Sequence, residues 1–221
     1  MVVFPELPLT SAYLEQLPAG LDSYPDAQVK GSFMRAIVNV RPDGFDPHVL
    51  PDPIAEIFLN PPELSEWVPE VRLVTVMTAL RDAAFDDDAS HHAFESKMLA
   101  SVLAGPMYRV LFAVISPRRM AVKGEDKWTH MHRGTRRESL EFNENGNLGR
   151  IHYPSHLFSP RYVDVCAEAI ATVYRLSRAP DPAVRVLEYT PTSSLLEVVY
   201  DQGRPRGEVL GGADGLSNTG S

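Results

Sequence analysis

The sequence predicts an α+β domain in which a helical N-terminal half packs on a small, largely antiparallel four-stranded sheet. Two observations carry this. Up to Gly134, apolar residues recur at three- and four-residue spacing between proline and glycine breaks, the period of helices with one buried face. Beyond Gly134 the period becomes two in four short segments, 137–142, 148–153, 184–189 and 195–200, with a helical stretch after Ser159-Pro160 between the second and third. The order is helices, then β-β-α-β-β.

Composition narrows the class. At 221 residues the chain is long enough for one domain with a substantial core. Its 44% hydrophobic and 23% charged residues are ordinary for a globular protein. The net charge of −8 argues against nucleic acid or an anionic membrane as main partner, because phosphate binding rests on Lys and Arg. Cys166 is the one cysteine, which excludes an internal disulfide and a multi-cysteine zinc site. No run approaches the ~18 apolar residues of a membrane span, and the N-terminus lacks a signal-peptide pattern, so the expected location is cytoplasmic.

In chain order, residues 1–27 are rich in turn formers and read as an irregular surface lead-in, with one short helix at 10–17 capped by Thr10. A helix over 29–38 is capped by Ser32, and proline breaks bound another at 54–59. Residues 65–70 open a longer helix whose buried stripe holds Val71, Val74, Met77, Thr78 and Leu80. The acidic run Asp86-Asp87-Asp88 precedes a helix at 89–104. Gly105-Pro106 and Ser116-Pro117 bracket the most apolar short run of the chain, which reads as a buried central helix. A further helix runs from Pro117 through Trp128 to Gly134. After about residue 203 apolar periodicity is lost, so 28–202 is the single domain and 203–221 a disordered tail.

The ordered set Val29-Lys-Gly-Ser32, Ser65-Glu-Trp-Val-Pro69, Gly105-Pro106-Met-Tyr108-Arg-Val-Leu-Phe112, Ser116-Pro117 and Trp128 followed by Gly134 resembles a bacterial family expanded in myxobacteria. That family looks like the superfamily of heme-NO-binding domains, 4-vinyl-reductase-type ligand-binding domains and TRAPP subunits. The resemblance spans roughly residues 28–202 and implies a sensing or scaffolding fold. In its heme-binding branch a Tyr-x-Ser-x-Arg clamp holds the propionates and a histidine ligates iron. Tyr153 and Ser155 match the first two clamp positions, but the third is Leu157, which offers a carboxylate no pairing. His130 and His132 lie near the expected iron-ligand position. Two residues apart on a helix, they would point about 200° apart and share no metal.

Other candidates are read both ways. His91 and Glu95 stand at i, i+4, a spacing that suits two metal ligands, yet no third is in view and a solvated helix face is the expectation. Arg118, Arg119, Arg133, Arg136 and Arg137 form the one basic concentration, suited to an anionic ligand or an acidic surface; Arg133 alone reads as helix-end charge. Cys166 falls on an apolar stripe and reads as a buried small hydrophobe. No complete catalytic signature occurs, so the chain reads as a non-catalytic small-molecule-binding or scaffolding module in bacterial signalling. An apolar pocket between helices and sheet would draw on Met107, Tyr108, Phe112, Trp128, Met131, Tyr153 and Ser155, side chains that would equally well fill a core. The alternative is a heme-dependent gas sensor using His130 or His132. Trp67, Val68 and the helix at 54–59 suggest a homodimer, or a protein partner, through the helical half.

Overall fold

The computed structural model describes residues 4–103, 105, 108, 116–143 and 146–200. Helices α1 (Pro8–Glu15), α2 (Gly31–Val40), α3 (Asp52–Leu59), α4 (Glu70–Ala84) and α5 (Asp88–Leu103) come first. Two short helices follow, α6 (Pro117–Val122) and α7 (Gly124–Thr129), and α8 (Pro160–Leu176) lies among the strands. The strands are β1 (Gln28–Lys30), β2 (Trp67–Pro69), β3 (His132–Arg133), β4 (Arg136–Asn143), β5 (Gly146–His152), β6 (Ala183–Thr190) and β7 (Ser193–Val199). The α+β class stands, and β4-β5-β7-β6 form the expected four-stranded antiparallel sheet.

A second, three-stranded antiparallel sheet, β2-β1-β3, was not expected. Its strands are two or three residues long, too short to show a period, and each adjoins a helix whose period masks it. Val29 and Lys30 therefore pair as strand rather than opening a helix, and Ser32 is not a cap: α2 starts at Gly31 after Lys30. His132 and Arg133 likewise belong to β3 and not to a helix running to Gly134. Gly134 has φ +68 and turns the chain from β3 towards β4; a Cβ there would lie 2.5 Å from the Asp26 carbonyl oxygen.

Among the described residues α4 is the helix most enclosed on all sides. Val71, Leu73, Val74, Val76, Met77, Ala79 and Leu80 are all buried, as is Thr75, whose hydroxyl donates to the Val71 carbonyl at 2.7 Å. The central helix expected at 105–115 lies outside the described residues except for Gly105 and Tyr108, as does the tail at 203–221. Around α4, α1 packs against it, α2 against α5, and α5 against α8, which lies on β6 and β7.

Residues 4–27 are not an irregular surface lead-in. Phe4, Leu7, Tyr13, Leu14 and Leu17 belong to the core, and the Tyr13 hydroxyl donates to the Leu157 carbonyl at 2.8 Å. Thr10 does not cap α1. Asp82 on α4 does so from a distance, its carboxylate accepting from the backbone N–H of Leu9 (3.2 Å) and Thr10 (2.9 Å) and from the Thr10 hydroxyl (2.8 Å). A carboxylate at the positive end of a helix meets otherwise orphaned donors. Trp67, expected as bare apolar surface, has the Lys30 ammonium over its ring at 3.9 Å and the Arg133 guanidinium at 4.0 Å.

Candidate functional site

Glu70, the first residue of α4, is fully buried. Its Oε1 accepts from the Tyr162 hydroxyl on α8 at 3.0 Å and from His132 Nδ1 on β3 at 2.9 Å. A carboxylate only accepts, so His132 donates to it from Nδ1. The His132 ring stacks on Trp128 at 3.9 Å and 9°, and Trp128 Nε1 donates to Thr135 Oγ1 at 3.0 Å. Helix α7 thus presents the indole and β3 the imidazole, and α4 supplies the charge that orients the imidazole.

Beside this network lies a cavity of about 70 Å³. Its walls are largely methionine and aromatic: Met77, Met98, Met120, Met131, Phe33 and Trp128. Two cationic residues, Lys127 and Arg137, also line it. Arg137 on β4 is 6% exposed and lines the cavity. Burial pushes its pKa below the usual guanidinium range, against which the Tyr174 hydroxyl, its hydrogen-bond partner, and more distant Glu125 act weakly. Tyr174 passes the bond on, donating to Asn147 Oδ1 at 2.9 Å, and burial raises its own pKa to about 12 with Arg137 opposing. Among the described residues Arg137 forms no ion pair with a carboxylate. It lies so close to α7 that a Cβ on Gly124 would sit 1.6 Å from its Nη1.

A second polar cluster corrects the expectation of a solvated helix face. His91 is 1% and Glu95 2% exposed, both turned from α5 towards α4 and α8. The two face each other at 3.3 Å, Nδ1 to Oε1, and Arg161 on α8 pairs with Glu95 Oε2 at 2.8 Å. Burial holds the His91 pKa down at about 4, helped by the positive charges of Arg161 and Arg81 and opposed by the Met77 backbone and Asp88. Burial raises that of Glu95 while Arg161 opposes. Composition hid this: a helix bearing His91, His92, Glu95 and Lys97 reads as wet, and only the docking of α8 covers it.

The structure separates the residues expected to share one pocket. Trp128 and Met131 line the cavity. Tyr108 is buried behind it, its ring 6.5 Å from Phe33 and its hydroxyl 3.2 Å from Ser32 Oγ. Met107 and Phe112 lie outside the described residues. Tyr153 turns to the β6–β7 hairpin, bonding Ser194 Oγ at 2.7 Å and the Thr190 carbonyl at 3.0 Å, and Ser155 is exposed. His130 is exposed at the end of α7 with Nδ1 2.6 Å from the Asp126 carbonyl, whereas His132 is buried, so the two are not brought together. Among the described residues no group of three or more His, Cys, Asp or Glu is placed to hold a metal ion.

The cavity of about 70 Å³ is far below the ~300–1,000 Å³ of sites for drug-sized ligands, and Leu157, the third position of the clamp pattern, is fully buried. A wider groove, about 1020 Å³ between α1 and α3, is edged by exposed Glu56, Asn60, Glu63, Glu66 and Arg72 and gathers no buried polar group among its described lining residues. Cys166 is buried with its thiol pKa raised by burial, which keeps it protonated and unreactive. No protein-family model matches the chain, and no curated protein does either. No helix among the described residues is long and apolar enough to cross a membrane.

Proposed function

We propose that the chain is a non-catalytic ligand-binding module of a cytoplasmic bacterial signalling system. Its ligand is a small molecule with an apolar body and one acidic group, held between Trp128, Met131 and Arg137. The observation that supports this is Arg137, a buried guanidinium facing a methionine-lined cavity without a carboxylate partner among the described residues. Burying a charge without a close counter-ion is costly even with the Tyr174 hydrogen bond and the Glu125 attraction, and a ligand carboxylate would meet the guanidinium fork with two parallel hydrogen bonds. At about 70 Å³ the cavity is too small for such a ligand until its walls give way. Methionines have the rotamer freedom to retract for it.

The test is a thermal-shift series with straight-chain carboxylic acids of four to twelve carbons, each beside the alcohol of equal length. Acids raise the melting temperature and alcohols do not, and Arg137→Met removes the difference. An equal response to acid and alcohol overturns the reading. An intense Soret band in protein from heme-supplemented cells would instead favour the heme-sensor alternative, with His132 as the buried candidate. Self-association belongs to the same proposal. With cations over Trp67, exposed Val49, Leu59 and Leu64 are apolar residues near α3 and β2, and light scattering across a concentration series reads the mass.

A further inference from the structure

The geometry points to a second binding site, independent of the first, where His91 and Glu95 floor a cavity between α1, α4, α5 and α8 that suits an uncharged, planar, one-ring molecule bearing a primary amide or a similar donor–acceptor edge. The cavity holds about 310 Å³, at the lower end of the range typical of small-molecule sites. Its side walls are apolar, from Ala12, Val74, Met77 and Val165, and Arg81 and Arg161 also line it.

Its floor is polar and only partly satisfied. His91 Nδ1 and Glu95 Oε1 meet each other at 3.3 Å without good hydrogen-bond geometry, the Met77 backbone lies against the His91 ring, and neither ring nitrogen nor Oε1 makes a well-formed hydrogen bond although all three atoms are buried. Buried polar atoms that are poorly satisfied are rare in folded proteins, and this pair on a cavity floor is what a ligand edge would satisfy better. Whichever tautomer His91 adopts, its neutral ring offers one donor and one acceptor, and Glu95 Oε1 adds a second acceptor. A matching ligand therefore carries both N–H donors and an acceptor.

The charges decide for an uncharged ligand. Glu95 is already paired with Arg161 at 2.8 Å and Arg81 with Asp88 at 3.0 Å, so a cation or an anion would enter a balanced site without a counter-ion. With a pKa of about 4, His91 is neutral at pH 7 and adds no charge.

The probe is benzamide, titrated into the full chain while the His91 Cε1–Hε1 NMR signal is followed, with benzoate and toluene as isosteres. Benzamide gives a saturable shift at His91, and benzoate and toluene bind at least tenfold more weakly. Ala12→Trp fills the mouth from an exposed position on α1 without touching the polar pair and abolishes the shift. Glu95→Leu does the same where it folds. Absence of a saturable shift in the wild-type chain, equal binding of benzoate, or an unchanged dissociation constant in Ala12→Trp each overturns the proposal.

Discussion

Replacing Trp128 by alanine removes a buried indole that does three things at once. It fills space beside the cavity, stacks on His132, and donates from Nε1 to Thr135. Truncating a large buried aromatic costs roughly 3–5 kcal/mol. Within that, the aromatic stack accounts for about 0.5–1.5 kcal/mol and the hydrogen bond for about 1 kcal/mol. Two further variants apportion the loss. Trp128→Phe keeps an aromatic ring and loses the donor, at about 1–2 kcal/mol. Thr135→Val leaves a buried N–H without an acceptor, at about 1–3 kcal/mol. The double variant loses less than the two singles together, with a coupling of about 1 kcal/mol, because the bond can be broken only once. Urea unfolding followed by far-UV circular dichroism reads all four proteins. A Trp128→Ala chain within about 1 kcal/mol of wild type would refute the packing described for α7, whatever the other variants do.

Gly124→Ala places a methyl group where the Arg137 guanidinium lies, so it lowers the melting temperature and removes selectivity for acids over alcohols in the same thermal-shift series. His91 sets a pH dependence whose sign follows from its lowered pKa. The folded state binds that proton more weakly, so its contribution is whole above about 6.5 and drains as pH falls to about 4, a loss of at most about 3 kcal/mol. Glu95, raised above its ordinary 4.5, works the opposite way and offsets part of this. His91→Phe flattens the stability profile between pH 6.5 and 4, and an unchanged slope in urea midpoints would show that another group carries it. Asp82→Ala removes the carboxylate that caps α1 and costs about 1–2 kcal/mol by the same measurement, whereas a neutral outcome would mean that water serves the helix end equally well.

What the sequence revealed follows from where each signal lies. Strands β4 to β7 and helix α8 run seven to seventeen residues, long enough for period two or 3.6 to emerge, and Ser159 does cap α8 by accepting from the Tyr162 N–H at 3.2 Å. Strands β1, β2 and β3 are set by pairing partners tens of residues away, such as Val29 opposite both Val68 and His132, which no local window contains. The candidate site was legible in the same uneven way. Arg137 stood out within a basic concentration and Trp128 within an aromatic supply. Glu70, which ties His132 to Tyr162, looked like any acidic residue opening a helix. Its burial follows from docking, as does that of His91 and Glu95.

The Glu70 node also bears on the order in which the molecule can assemble. Its two partners stand 62 and 92 residues further along the chain, so both bonds close large loops. Until β3 and α8 arrive, the first turn of α4 carries a charge that water alone can satisfy, and sealing it in an apolar core would be costly. The N-terminal helices can therefore collapse around the far end of α4 early, while its beginning stays hydrated. During synthesis that end remains wet until Tyr162 has left the ribosome. In pulsed hydrogen exchange the amides near Glu70 should gain protection with those of α8, later than those around Leu80.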